Sequence, residues 1–413
     1  MSDLPRLTAA EAAARLGVKP ESLYAYVSRG LLSRERDAAG SSFDPLEVEA
    51  FARRRRRRPG IAPGSPTPGT PLMVLETRLA HVDDDELHYR ERSAARLARD
   101  ASFEEVVMWL WDVSALRRPS PADLTVARRT IEALGRTAPP LDRLLVAVAA
   151  LAATDPLRDD PDPSQLVRVG ARLVTGLPAA LAGAGEPHGE GGVPHADGGE
   201  RHGVAQTLWR ALGRHDRPGG SRILDAALVL VIDHDLAVST LAARVAASAR
   251  ASGYAIVTAA LGAFDAPLHG TASRAAAQLL RAVQEGDDPA ISIARAVRDG
   301  GRGIPGFGQP LYAGGDMRAR VLLELLRDAP ESAPVLAAVD AVAREVARRA
   351  DVRPNLDLAL AALTLWAEMP DDAGSVIFAI GRIVGWISHA LDEYDERPMR
   401  LRPRGRYVGP ASE

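Results

Sequence analysis

Two histidines, one carboxylate and three arginines recur through the second half of this chain, most of them at the edge of an apolar, Ala/Leu/Val-rich run. In order they are His234, within Asp233-His234-Asp235; His269, within Ala266-Pro267-Leu268-His269-Gly270; Arg318, within Asp316-Met317-Arg318; Asp357, within Asn355-Leu356-Asp357; then Arg382 and Arg402. A guanidinium binds a carboxylate through two parallel hydrogen bonds, so three of them suit a substrate carrying more than one carboxylate. A carboxylate beside an imidazole suits proton abstraction next to a carbonyl. One group takes the proton, and the other donates to the oxygen on which charge collects. Alone, His269 reads sooner as a helix-end histidine capping a carbonyl, and a single arginine as a surface charge. Arg382 is the least ambiguous, because it lies inside the apolar run 376–387.

Something rigid must bring these residues together. Apolar positions three and four apart predict helices over 102–111, 141–153, 223–231, 241–250, 253–264, 272–283, 320–326, 335–349, 356–368 and 376–391. Strand alternation is scarce, apart from a short hairpin expected near Met73–Val82, so the expected fold class is all-α. The chain has 413 residues, 46% of them apolar, enough for two or three domains and a sizeable core. It has no cysteine, which excludes disulfides, thiolate catalysis and Cys-held metals. No apolar run of about 18 residues and no charged-then-apolar leader appears, so a cytoplasmic protein is expected. Lys19 is the one lysine beside 50 arginines, a pattern of GC-rich coding.

The first 58 residues read as a separate helical domain. Residues 1–60 carry 12 Lys/Arg against 8 Asp/Glu, and the remainder 39 against 46, so a basic head precedes an acidic body. Thr8-Ala9-Ala10-Glu11 predicts a capped helix stopped by Gly17. Pro20 opens a second helix and Gly30 ends it, and a third begins at Phe43-Asp44-Pro45 and runs into Arg53–Arg58. Two short helices joined by three residues make a helix-turn-helix, whose second helix would present Ser22, Tyr24, Tyr26 and Arg29 to DNA, with the arginines clamping phosphates. A helical docking module with a solvated charge tail fits the same residues, since the second helix carries little charge. Residues 59–70 form a Pro/Gly linker. His188, His195 and His202, seven apart in a Gly/Pro/Glu-rich segment, read as a surface loop rather than a metal site, and no metal is expected.

Several segments together resemble a family. Val229 to Thr240 resembles the HxDHExNxST stretch of citrate synthases. Ala266-Pro267-Leu268-His269-Gly270 resembles their GPLHG, and Gly306-Phe307-Gly308-Gln309 their GFGH. Asp316-Met317-Arg318, Asn355-Leu356-Asp357, Gly381 to His389 and Leu401-Arg402-Pro403-Arg404 match DPR, NVD, ARxxGWxxH and RPR. Glu76 to Arg90 resembles the opening turn, so the resemblance spans residues 71–413. The head resembles MerR-like or excisionase-like DNA-binding domains over Leu7–Val18 and Leu23–Leu32.

The resemblance implies large (71–270 and 367–413) and small (271–366) helical domains, a homodimer, and condensation of acetyl-CoA or propionyl-CoA with oxaloacetate or a related 2-oxoacid. No permanently bound cofactor is implied, the CoA thioester being substrate. Asp357 matches the base and His269 the donor to the thioester oxygen, with Gly270 leaving room for close backbone approach. His234, Arg318, Arg382 and Arg402 match substrate ligands, Arg402 from the partner subunit. Gly306, Phe307 and Gly308 match the CoA loop. Gln309 stands where the family has a histidine that polarises the ketone. An amide donates a hydrogen bond but does not titrate, so the expectation is a slower condensation, a preference for another acyl-CoA or 2-oxoacid, or lost turnover. Val231 also replaces a histidine, and Thr271-Ala272-Ser273 replaces GAN. A ligand-responsive DNA-binding regulator and a reverse-direction citryl-CoA lyase remain alternatives.

Overall fold

The computed structural model describes residues 4–37, 40–57, 74–135, 137–183, 203–300 and 303–409. The Pro/Gly linker at 59–70 and the three spaced histidines at 188–202 lie outside them. Two hydrophobic cores organise the described residues.

The smaller core belongs to the head. Strand β1 (Leu7–Thr8) runs directly into helix α1 (Ala9–Leu16). The turn is fixed by a reciprocal cap, in which Glu11 N–H donates to the Thr8 hydroxyl and Thr8 N–H to the Glu11 carboxylate. Gly17, at φ +61°, ends α1 in the left-handed region. After Val18 and Lys19, Pro20 opens α2 (Pro20–Ser28). Strands β2 (Glu35–Asp37) and β3 (Gly40–Phe43) join β1 in an antiparallel sheet of order β1-β3-β2, and α3 (Pro45–Arg57) closes the unit. Leu7, Leu16, Leu23, Phe43 and Phe51 fill its centre. This sheet has no counterpart in the helical expectation, because strands of two to four residues rich in Ser, Gly and charge show no alternation to read.

The body begins with a second small sheet, β4 (Ala80–Asp83), β5 (Glu86–Tyr89) and β6 (Arg92–Ser93). The hairpin therefore begins within the expected 73–82, at Ala80, and extends beyond it to Tyr89. Its turn falls on Asp84 and Asp85, both at positive φ, a conformation aspartate tolerates. Helices follow almost without interruption: α4 (Ala94–Asp100), α5 (Phe103–Trp111), α6 (Pro121–Ala133), α7 (Pro140–Ala153), α8 (Ser164–Gly183), α9 (Val204–Leu212), α10 (Gly220–Leu230), α11 (Val238–Ser248) and α12 (Gly253–Phe264). Then come α13 (Ala272–Gln284), α14 (Pro289–Gly300), α15 (Met317–Arg327), α16 (Ala333–Arg349), α17 (Leu356–Trp366) and α18 (Ala373–Tyr394). The all-α body is thus as expected, with α4, α6, α8, α9 and α14 added.

Helix α18 is the hub, touching α8, α10, α11, α12, α13 and α17. Helices α8 and α18 are long and apolar enough to cross a membrane, but most of each is packed inside the core. Their runs escape an inspection for unbroken apolar stretches because Arg172 interrupts one and Arg382 the other.

The head is docked on the body. Leu46 of α3 sits in the body's core. The Arg15 guanidinium donates to the carbonyls of Val297 and Arg298 at the C-terminal end of α14, and Asp44 lies 3.6 Å from Arg349 at the end of α16.

Candidate active site

Six short stretches of the body converge on a cavity of about 180 Å³, lined by His234, His269, Gln309, Arg318, Asp357 and Arg382 together with Ala237, Leu268, Ala272, Asp316, Asn355, Leu356 and Phe378. The distances in sequence are large, and each part reaches the cavity for a local reason.

One wall is α18 laid tightly on the segment after α10. A Cβ on Gly381 would come within 2.6 Å of the Leu228 carbonyl oxygen, and one on Gly385 within 2.1 Å of that of Ile232. Only glycine allows this approach. It brings Arg382 close enough for its Nε to donate to the Val231 carbonyl at 2.7 Å. Arg382 is 1% exposed, and its guanidinium carbon lies 4.8 Å from the centre of the Phe378 ring.

The opposite wall is built at helix starts. Asp316 caps α15 by accepting from Arg318 N–H, and its carboxylate also takes two hydrogen bonds from the Arg318 side chain, at 2.9 and 2.8 Å. The same carboxylate accepts from Leu356 N–H, which ties the start of α15 to the start of α17. Asn355 caps α17 through Asp357 N–H, and its side-chain amide donates to the Gly308 carbonyl. Gly308 N–H donates to Arg353 O and Asn355 N–H to Gly306 O, so the loop 303–309 is laced onto 353–357. That lacing delivers Gln309 and Asp357 to one place.

His269 closes the cavity between α12 and α13. Its Nε2 lies 2.7 Å from the Ser239 hydroxyl, which accepts from Trp386 Nε1–H at 3.2 Å. With the Ser239 hydroxyl donating to Nε2, the neutral ring carries its N–H on Nδ1. Gly270 serves packing instead of ligand approach, since a Cβ there would meet the Phe264 ring at 2.3 Å.

The charge states fit an acid–base site. Burial pushes the Asp357 carboxyl up to about 7; Arg318 opposes this and Asp316 adds to it. Burial brings His269 down to about 4, helped by Arg382. His234 is driven far below the ordinary imidazole range by burial, then by Arg318 and Arg382. Burial opposes the charge on Arg318, but the Asp316 carboxylate raises it above its usual value. Burial lowers Arg382 to about 10, partly offset by Asp233. The site therefore pairs a carboxylate titrating near neutrality with two neutral imidazoles and two buried cations.

Not every expected residue is here. Arg402 is exposed in the segment after α18 and does not line the cavity. Gly306, Phe307 and Gly308 do not line it either. Phe307 is 6% exposed and part of the main core, so its ring is not offered to a ligand; the loop's contribution is to place Gln309. In the head, Ser22 is half-buried, while Tyr24 and Arg29 are exposed. Tyr26 is not a free surface side chain. It packs on Phe51 at 4.8 Å between ring centres, with the Arg55 guanidinium carbon 5.5 Å from its ring centre. The motif residues Asp316, Asn355 and Ser239 carry structural work that the sequence reading left unassigned. Tyr312, stacked on His234 at 5.2 Å, had no sequence signal.

A larger groove of about 890 Å³ lies at the C-terminal end of α17. Its Arg217 is already paired with Glu331 and Glu368, and its Arg281 with Asp371, so these cations are committed to internal carboxylates.

The sequence profile of the citrate synthase C-terminal domain matches residues 69–404, most of the chain. The chain belongs to the citrate synthase family. It is 28% identical to a citrate synthase of Haloferax volcanii, over 82% of this chain and 94% of that one. It is 25% identical to 2-methylcitrate synthase 2 of Corynebacterium glutamicum, over 79% and 90%. Among solved structures it is similar to the Thermoplasma acidophilum citrate synthase in ternary complex with carboxymethyl coenzyme A and oxaloacetate. There the TM-score is 0.67 at 24% identity, covering 83% of this chain and 95% of that one. That likeness shows that the body has the citrate synthase fold.

Proposed function

We propose that this citrate synthase family member condenses a short acyl-CoA, acetyl-CoA or propionyl-CoA, with oxaloacetate or a related 2-oxoacid, releasing CoA and a tricarboxylate. The observation that carries this reading is the meeting of Asp357, His269, His234, Arg318 and Arg382 around one cavity. Arg382, with its Nε engaged and its terminal nitrogens without a hydrogen-bond partner among the described residues, takes a substrate carboxylate. His234, whose Nε2 has no hydrogen-bond partner among the described residues, takes another oxygen. Asp357 removes a proton from the α-carbon of the thioester, while His269 Nδ1–H stabilises the enolate oxygen. The α-carbon then bonds to the ketone carbon, the electron pair of the ketone C=O moves to its oxygen, and the resulting alkoxide takes its proton from water. Water cleaves the thioester. Gln309 donates a hydrogen bond to the ketone oxygen but no proton, so the carbon–carbon bond-forming step is slow.

Several parts of this reading concern assembly. Residues 271–366 form the smaller, mobile domain and the rest of the body the larger. The exposed Val238 and Val245 of α11, with Ala255, Ala259 and Gly262 of α12, give a close-packing face for a second copy. Arg402 then completes the neighbouring cavity. A thiol-release assay with acetyl-CoA or propionyl-CoA plus oxaloacetate decides the main reading. CoA release must exceed that of an Asp357→Ala control; release no faster than the control rejects it.

A second reading, a ligand-responsive DNA-binding regulator, draws support from how the head is docked. Arg15 and Asp44 grip the ends of α14 and α16, whose continuations are the two laced segments carrying Gln309 and Asp357. Closure over substrate would move the head, with Ser22, Tyr24 and Arg29 facing duplex DNA. Salt-sensitive duplex binding that shifts with oxaloacetate or acyl-CoA supports it, and a head that ignores duplex at low salt excludes it.

A further inference from the structure

Deep under the cavity lies a pair of ionisable groups that the proposed reaction does not use. His389 and Asp233 are both 0% exposed, and His389 Nε2–H donates to Asp233 Oδ2 at 3.1 Å. The other atoms of the pair, Asp233 Oδ1 and His389 Nδ1, have no hydrogen-bond partner among the described residues. A buried carboxylate without full hydrogen bonding is unfavourable, so it calls for a reason.

The reason lies in the face of α18 to which His389 belongs. Arg382, Gly385, Trp386 and His389 occur at three- to four-residue spacing and share that face. Each engages one point of the segment 231–239: Arg382 the Val231 carbonyl, Gly385 the Ile232 carbonyl, His389 the Asp233 carboxylate and Trp386 the Ser239 hydroxyl. Asp233 immediately precedes His234, whose ring lines the cavity. It also carries negative charge near Arg382, which has no acidic partner within salt-bridge distance among the described residues. The groups facing Arg382 are Asp233, Arg318, Tyr89 and Tyr312, with the neutral His234 and His269 beside it. Arg318 is already neutralised by Asp316. Asp233 is therefore the carboxylate left to balance Arg382, and it does so from a distance, which keeps the terminal nitrogens of Arg382 free.

We infer that His389 and Asp233 are a positioning pair for the 2-oxoacid: His389 fixes Asp233, and Asp233 sets the place of His234 and sustains the charge of an Arg382 whose fork stays open for a substrate carboxylate. This rests on the condensing-enzyme reading and concerns the dicarboxylate half of its site alone.

The test uses the full chain and three variants, Asp233→Asn, His389→Leu and His389→Gln. Oxaloacetate binding is measured by calorimetry, and the KM of each substrate by thiol release. Asp233→Asn keeps the shape and removes the charge. It should weaken oxaloacetate binding about tenfold, the scale of one hydrogen bond to a charged group, and leave the KM for acyl-CoA unchanged. His389→Leu should behave like Asp233→Asn, and His389→Gln, which keeps an N–H at similar reach, should recover most of the affinity. Should His389→Leu fail to fold, Asp233→Asn decides. Wild-type affinity in Asp233→Asn, or an equal rise in both KM values, overturns the inference while leaving the enzyme reading intact. A wild-type protein that neither binds oxaloacetate nor releases CoA overturns both.

Discussion

The two walls of the cavity solve the same problem, a buried charge, in opposite ways. The α15/α17 wall is made of helix starts. There Asp316 caps one helix, receives the backbone N–H that opens the next, and neutralises Arg318 with two hydrogen bonds. The α18 wall is made of helix interior. There Arg382 has only a carbonyl at its Nε, an aromatic ring beside it and a remote carboxylate, and burial lowers it to about 10. A helix start supplies unpaired N–H groups and places for short acidic residues, so charge can be satisfied locally. A helix interior offers neither, so the charge is held by close packing and keeps its hydrogen-bonding capacity for a ligand. Arg318 is thus structural first and a ligand group second, and Arg382 the reverse.

The largest expected effect lies on the helix-start wall. Asp357→Asn should lower the rate of CoA release by about 10²–10⁴-fold, the usual contribution of a general base. In the wild type, kcat/KM should rise with pH through about 7, as the raised Asp357 carboxyl loses its proton, and then level off. A flat profile between pH 5 and 9 would assign the base elsewhere.

The next prediction contrasts the two guanidiniums directly. Arg382→Leu should raise the KM for oxaloacetate by about 10- to 100-fold, with little change in melting temperature, since it removes a buried, unpaired cation. Asp316→Asn should instead lower stability by about 3–5 kcal/mol, because it strands the Arg318 charge and weakens the junction of α15 with α17. Denaturant unfolding of both variants checks this. A larger stability loss in Arg382→Leu than in Asp316→Asn would invert the account.

Gln309→His should raise the rate by about tenfold or more, by restoring a titrating donor at the ketone. No change in kcat would mean that the cavity does not place position 309 at the reacting oxygen.

The smallest effect is on stability. The Asp357 carboxyl is raised in the folded protein to about 7 against about 3.9 unfolded, so the native state loses stability as pH rises from the lower value to the higher. Asp357→Asn escapes this loss. Its melting temperature should exceed wild type by a few degrees at pH 8, and the two should converge below pH 4.

How much of this was legible in the sequence differs between the walls. Asp316, Arg318, Asn355 and Asp357 sit within three residues of one another in two short motifs, and capping residues at helix starts leave a readable spacing. The α18 wall is assembled from contacts 147 to 156 positions apart, and what makes them possible is two glycines, Gly381 and Gly385, whose role appears only once the Leu228 and Ile232 carbonyls are seen beneath them. Tyr312 and Phe378 enter the site purely through tertiary packing. In the head the caps at Thr8, Gly17 and Pro20 were readable, whereas the short sheet and the burial of Tyr26 against Phe51 were not, because a two-residue strand and an aromatic on a nine-residue helix carry no period.

The most direct test separates proton abstraction from condensation, since Gln309 bears only on the latter. Acetyl-CoA incubated with the wild-type protein in D₂O, in the presence of oxaloacetate, should take up deuterium at the thioester methyl, and Asp357→Asn should not. Absence of exchange in the wild type, or exchange at the wild-type rate in Asp357→Asn, would contradict the placement of the reacting carbon between Asp357 and His269.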